Sequence, residues 1–227
     1  MSSYKTFIYV ERKHQNTDDK IESNIVIFIG GVPAVGKTSI AGFVARELGI
    51  DVMLCGDYLR EFIRPILEGK HEYDTLFTSV YDAWKPFGEM TDENIIKGYR
   101  SQSKFISKGL NALMERANKN GENLLLESLY FCPDELDSIR NGNVISLYIH
   151  NSSESAYRKM IMERVKYTHP KSPGDRLAQN IHQYITIMNY TLRLCKQYNL
   201  KTFDNTGYLK TRDEILSYIK GRIAGMQ

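Results

Sequence analysis

The chain predicts an α/β fold, a five-stranded parallel sheet sandwiched by helices, and three observations carry that reading. Short, continuous apolar runs alternate with longer segments of helical period, the order a parallel sheet needs because each crossover must return the chain to the same end of the sheet. The first apolar run stops at two glycines and gives way at once to a helix pattern. No apolar run approaches the roughly 20 residues of a membrane span, so the 42% hydrophobic content of 227 residues is expected to form a buried core. Residues 1–227 are read as one domain, with 1–22 as an N-terminal extension.

Within that extension only Phe7–Val10 alternates in polarity, a candidate edge strand. Ile25-Val26-Ile27-Phe28-Ile29 is the unbroken β-branched run expected of a strand buried on both faces. From Thr38 the residues Ile40, Ala41, Phe43, Val44 and Leu48 recur at helical spacing, and Gly49 is a natural stop. Asp51 to Cys55 is read as a second strand. A helix begins near Asp57, whose carboxylate is a candidate cap, and Pro65 is expected to break or kink it early. Asp92 to Lys119 reads as a long helix, with Ile95, Tyr99, Ile106, Leu110, Leu113 and Ala117 in period and Asn120-Gly121 closing it. Leu124–Leu126, Val144–Ile149 and Lys201–Phe203 supply the third, fourth and fifth strands.

Charge and cysteine usage exclude several classes. The 30 basic and 27 acidic side chains leave a net charge of +3, too small an excess for the dense basic stripes of nucleic-acid binders. Cys55, Cys132 and Cys195 lie far apart without metal-ligand spacing, as expected of reduced thiols. The N-terminus lacks an apolar leader-like segment, so a cytoplasmic location is expected.

Gly31-Val32-Pro33-Ala34-Val35-Gly36-Lys37-Thr38 fits GxxxxGK[ST], the phosphate-binding P-loop, between a strand and a helix as that motif requires. Its glycines let backbone N–H groups converge on phosphate oxygens at a helix N-terminus. Residues 31–39, Ser39 included, are therefore the expected ATP site. Lys37, pictured facing solvent over the phosphates, is expected to bridge the β- and γ-phosphates, and Thr38 to ligate Mg²⁺. No Asn-Lys-x-Asp guanine motif is present. Further modules of the kind motor and transporter ATPases carry have no room, which leaves small-molecule kinases.

Strand ends in such sheets face the ligand crevice, so Asp57 is placed to accept the proton of an acceptor hydroxyl. Arg60 and Arg64, four residues apart on one helix face, are spaced to hold an acceptor phosphate or carboxylate. Glu127 ends the third strand where an acidic residue reaches Mg²⁺ or its water, with acceptor binding as the other reading. Arg158 and Arg164 lie on the helix after the fourth strand, in a lid expected at about 154–175. There they would stabilise the transferring phosphoryl group and exclude water. Asp204-Asn205 is a candidate border of the adenine site.

The chain resembles the archaeal 2-phosphoglycerate kinase family through four blocks. They are Gly30 to Thr38, Gly56-Asp57-Tyr58-Leu59-Arg60-Glu61, Thr78-Ser79-Val80-Tyr81-Asp82-Ala83-Trp84-Lys85 and Leu125-Leu126-Glu127. The resemblance implies a P-loop kinase fold with a helical lid. It also implies transfer of the γ-phosphate of ATP to the free hydroxyl of a small, already phosphorylated hydroxy acid. Asp57, Arg60 and Arg64 match the acceptor-side block, and Ser79, Tyr81 and Trp84 the second block. The family commonly carries a separate N-terminal domain, which does not match here, and a His-x-Ser-Ser-Tyr pattern where this chain reads Phe77-Thr78-Ser79-Val80-Tyr81. Phe77 and Val80 make the acceptor site less polar. That favours mevalonate 3-phosphate, the acceptor of a related archaeal 5-kinase, over 2-phosphoglycerate. A seryl-tRNA kinase and a non-catalytic ATP-binding module are the other readings. The partner expected is thus a small phosphorylated hydroxy acid, not nucleic acid or membrane, for a monomer or homodimer.

Overall fold

The computed structural model describes residues 24–167 and 174–226. The Phe7–Val10 patch and the middle of the expected lid lie outside the described residues. Five parallel strands, β1 (Val26–Gly30), β2 (Val52–Cys55), β3 (Leu124–Ser128), β4 (Val144–His150) and β5 (Lys201–Asp204), pair in the order β2-β3-β1-β4-β5. The central strand β1 is hydrogen-bonded on both sides and every one of its residues is buried, which is why its sequence is an unbroken apolar run. At the edge, β2 leaves Val52 and Met53 exposed.

Among the described residues seven α-helices accompany the sheet: α1 (Lys37–Glu47), α2 (Gly56–Leu67), α3 (Asp92–Asn120), α4 (Glu154–Tyr167), α5 (Asp175–Gln179), α6 (Ile181–Gln197) and α7 (Tyr208–Ala224). Right-handed crossovers assign their faces. The β1-to-β2 connection runs one way across the sheet and all later connections run the other, so α1 covers one face and α3 and α6 the opposite one. α7 packs beside α1, and α3 beside α6. Because all strands point the same way, the segments that follow β1, β2, β3, β4 and β5 gather at one edge of the sheet.

Two local expectations are corrected. Asp57 is not the cap of α2: the helix starts at Gly56, its N-cap is Cys55, and no side chain caps it. Asp57 sits instead in the first turn, where its charge favours the positive end of the helix. Pro65 does not stop α2 early, because it falls in the last turn and costs one hydrogen bond of a helix that ends at Leu67. The long helix is as expected, with Thr91 accepting from the Asn94 N–H at its start and Gly121 (φ 70°) closing it.

Between α2 and α3 the chain forms three 3₁₀ segments, His71–Phe77, Val80–Asp82 and Lys85–Phe87, all packed on α3. Close approach there depends on Gly98, where a Cβ would lie 2.4 Å from the backbone carbonyl of Ala83. Gly109, on the same helix, has open space around it. Gly98→Ala is expected to lower stability by about 1–3 kcal/mol through overpacking. Gly109→Ala is expected to raise it by up to about 1 kcal/mol through backbone entropy. Thermal melts of the two variants, moving in opposite directions, check this account of the α3 contact.

Candidate active site

The P-loop runs from the buried end of β1 into α1 and is held from behind. Gly36 (φ 91°) and Ala34 (φ 66°) adopt left-handed backbone conformations, which cost an alanine energy that the surroundings must supply. Three side chains do so by taking up loop carbonyls. Tyr157 Oη donates to Pro33 O (2.9 Å), Asn205 Nδ2 to Val35 O (2.9 Å), and Lys37 Nζ to Val32 O (3.5 Å). With these carbonyls turned into the protein, the loop's N–H groups are set to converge on an anion. Gly36 is needed twice over, because a Cβ there would also lie 2.7 Å from Asn205 Nδ2. No side chain caps α1, leaving its first N–H groups for phosphate oxygens.

Beneath the loop lies Glu127, on β3 and only 2% exposed. Thr38 Oγ1 donates to its Oε1 (3.1 Å), and Lys37 Nζ stands 3.7 Å from its Oε2. Lys37 is therefore buried, not solvent-facing as the motif alone suggested, because its ammonium balances this carboxylate. Opposite Glu127 in register is Cys55, whose thiol is pushed up to about 12, first by burial and then by the Glu127 charge. The thiol therefore stays protonated beside the carboxylate. A buried carboxylate and a threonine hydroxyl are hard oxygen donors that fit Mg²⁺. No group of three potential metal-ligating His, Cys, Asp or Glu side chains occurs among the described residues.

Asp57 follows β2 in the first turn of α2, and its charge reaches Tyr130, Tyr184 and Arg164. Burial pushes the Tyr184 hydroxyl far above its ordinary range, so it remains a neutral hydrogen-bonding group. The two arginines of α2 are engaged in holding the neighbouring loop. Arg60 donates from Nε to Leu76 O (2.9 Å) and from Nη2 to Thr78 O (2.5 Å). Arg64 donates to Glu61 Oε2 (2.7 Å) and Phe77 O (3.3 Å), and lies over the Phe77 ring. Buried Gln102 of α3 adds hydrogen bonds to the carbonyls of Thr75 and Thr78 and accepts one from Tyr130 Oη.

The segment held by these contacts continues into Ser79, Tyr81 and Trp84. Ser79 is half-buried. Tyr81 is buried and meets Tyr184 edge to face, ring centres 6.1 Å apart, with the Arg176 guanidinium 5.9 Å from its own ring centre. The Trp84 indole N–H is buried without a hydrogen-bond partner among the described residues.

The two arginines expected in the lid part company. Half-buried Arg164, near the end of α4, has its pKa lowered first by burial, while Tyr184 and Asp57 oppose the shift and the Arg176 charge adds to it. Arg158 is exposed and donates to Ala178 O (3.2 Å) and Glu154 Oε1 (3.3 Å), tying α4 to α5. Ser39, in α1, accepts at its backbone carbonyl from Tyr208 Oη. Asp204 accepts from the backbone N–H and hydroxyl of Ser152, and Asn205 braces the P-loop. Tyr157, Gln102, Tyr184 and Arg176 went unnoticed in the sequence. Arg176 lies one residue past the expected lid boundary, so its charge was the available signal; the others carry none.

Comparison with known proteins then places the chain. It is 42% identical over 191 residues to the mevalonate-3-phosphate 5-kinase of Thermoplasma acidophilum, covering 84% of this chain and 93% of that one. The chain belongs to the archaeal kinase family that unites mevalonate-3-phosphate 5-kinase with 2-phosphoglycerate kinase. A 2-phosphoglycerate kinase of this family, from Pyrococcus horikoshii, is 29% identical over 201 residues, which span 88% of this chain and 65% of that protein. No protein-family model matches. Shikimate kinase from Acinetobacter baumannii, solved with shikimate, shares the fold at a TM-score of 0.50 and 13% identity, covering 91% of this chain and 97% of that one. As a member of this kinase family the chain is a P-loop phosphotransferase acting on a hydroxyl acceptor. Among the described residues no helix is long and apolar enough to cross a membrane.

Two substitutions test the loop's support. Asn205→Ala leaves the Val35 carbonyl without its buried donor, a loss of about 1–3 kcal/mol, and is expected to raise KM for ATP about tenfold or more. Lys37→Ala is expected to abolish turnover and also to lower the melting temperature, because it strands the buried Glu127 carboxylate. Adding Glu127→Gln to Lys37→Ala should recover melting temperature without recovering activity.

Proposed function

We propose that this kinase transfers the γ-phosphoryl group of ATP to the primary hydroxyl of mevalonate 3-phosphate. The observation that carries the proposal is the 42% identity, across nearly the whole length of both chains, to a mevalonate-3-phosphate 5-kinase, against 29% over part of a 2-phosphoglycerate kinase. Phe77 and Val80, apolar where the family pattern reads His and Ser, support it, since this acceptor carries a methyl group and extra methylenes.

In this reading the P-loop N–H groups of residues 31–39 and the N-terminus of α1 hold the β- and γ-phosphates, with Lys37 moving between Glu127 and the phosphates. Thr38 and Glu127 hold Mg²⁺, which when bound neutralises charge developing on the phosphoryl oxygens. Asp57 accepts the proton of the attacking hydroxyl, and Arg164 contributes positive charge near it from the lid formed by α4 and α5. Arg60 and Arg64 act through the carbonyls of residues 76–78, orienting Ser79, Tyr81 and Trp84 toward the acceptor, while Arg158 holds the two lid helices together.

A coupled assay comparing mevalonate 3-phosphate, mevalonate, 2-phosphoglycerate and glycerate tests the acceptor. The highest kcat/KM is expected for mevalonate 3-phosphate, and a preference for 2-phosphoglycerate would overturn the assignment. Asp57→Asn keeps the side chain's size and removes the base. It is expected to lower kcat at least ~10²-fold with little change in KM for ATP; a variant altered only in melting temperature would show Asp57 to be structural.

A further inference from the structure

We propose that Arg164 and Arg176 together form the subsite for the phosphate the acceptor already carries, an assignment that rests on the acceptor class proposed above. The α2 arginines leave this role open: Arg60 and Arg64 direct guanidinium nitrogens to the backbone carbonyls of Leu76, Phe77 and Thr78 and to Glu61. Two other cations, on separate helices, lie within electrostatic reach of each other. Arg164 comes from α4, half-buried and within electrostatic reach of Tyr184, Asp57, Arg176 and Tyr157. Arg176 comes from α5, its guanidinium 5.9 Å from the centre of the Tyr81 ring, which in turn meets Tyr184.

The fold holds these like charges close. The Arg158 guanidinium donates to Ala178 O on α5, and the chain at Gly174 passes so near α4 that a Cβ would lie 2.3 Å from Ile161 O. Bringing two guanidinium groups together costs energy that a bound anion returns, more so in a half-buried site. Asp57 contributes one negative charge there, but its carboxylate is needed for the hydroxyl proton. A phosphate dianion supplies two charges and three oxygens for two planar donor forks, whereas a carboxylate matches only one. The tyrosine pair gives Arg176 an aromatic face to lie against, limiting the freedom of an otherwise exposed side chain. An acceptor held this way stretches from the arginine pair on the lid helices to Asp57 on α2.

The test is binding of mevalonate 3-phosphate to the full chain without ATP, by titration calorimetry, for wild type, Arg176→Gln and Arg176→Lys. Arg176 is exposed, so both variants should melt near the wild-type temperature. Arg176→Gln is expected to weaken binding about ten- to a hundredfold, with Arg176→Lys between it and wild type, since charged hydrogen bonds are lost in part or whole. KM for ATP should stay within about twofold. Unchanged acceptor affinity in Arg176→Gln would overturn the assignment, and a fall in kcat without a change in affinity would move Arg176 to the transferring phosphoryl group. A wild type that turns over only unphosphorylated acceptors would overturn the proposed function itself, and this subsite with it. A wild type active on phosphorylated acceptors with an equally good Arg176→Gln would overturn the subsite alone.

Discussion

The architecture turns on one buried carboxylate. Glu127 lies almost wholly out of solvent beneath the P-loop, a placement that costs several kcal/mol unless its charge is met. Lys37 and Thr38 meet it, and both are residues of the phosphate-binding motif itself. Strand order makes the meeting possible. Because β3 lies directly beside β1, Glu127 stands in register with Ile29, just before the glycines of the loop, and with Cys55 on the other side. The ion pair keeps a lysine and a carboxylate in place whose charges phosphates and a divalent cation would compete for.

From that centre two sets of elements build outward with different physics. The P-loop is braced from afar: the left-handed Ala34 and Gly36 are held because Tyr157 and Asn205, far away in sequence, hydrogen-bond loop carbonyls. Both reach the loop from segments that follow β4 and β5, so the far half of the sheet secures the near half's binding loop. The segment between α2 and α3 is built of 3₁₀ turns, whose backbone groups lack a regular ladder and are satisfied in part by Arg60, Arg64 and Gln102 instead. Arg60 and Arg64, spaced for a ligand in the sequence, hold this segment through its carbonyls.

What the sequence made legible follows from how local each signal was. The β1 strand, the P-loop and α1 depend on neighbouring residues and were read nearly to their ends, as was α3 from Asp92 to its Asn120-Gly121 stop. All five strands were placed, but their spatial order could not be, because pairing joins residues about a hundred positions apart, such as Val26 with Leu124 and Val144. The depth of Lys37 was hidden for the same reason: a motif specifies spacing, and burial depends on a carboxylate 90 residues away. Arg60 and Arg64 were correctly put on one helix face. What that face meets was not readable, since residues 71–87 carry no helical or strand period. Arg176 drew no notice because a single arginine in a short helix becomes informative only when Arg164 and Tyr81 are seen beside it.

The central claim is that a phosphoryl group moves from ATP to the primary hydroxyl of an acceptor that already bears a phosphate. Proton-coupled phosphorus NMR of the product reads this directly. Mevalonate 3-phosphate carries its phosphate on a tertiary carbon and shows an uncoupled line, while a phosphate newly formed on the terminal CH₂O group is split into a triplet by its two protons. The account predicts one new triplet growing beside the retained singlet as the ATP signals convert to those of ADP. ATP loss with only inorganic phosphate appearing, or a triplet formed solely from 2-phosphoglycerate, would contradict it.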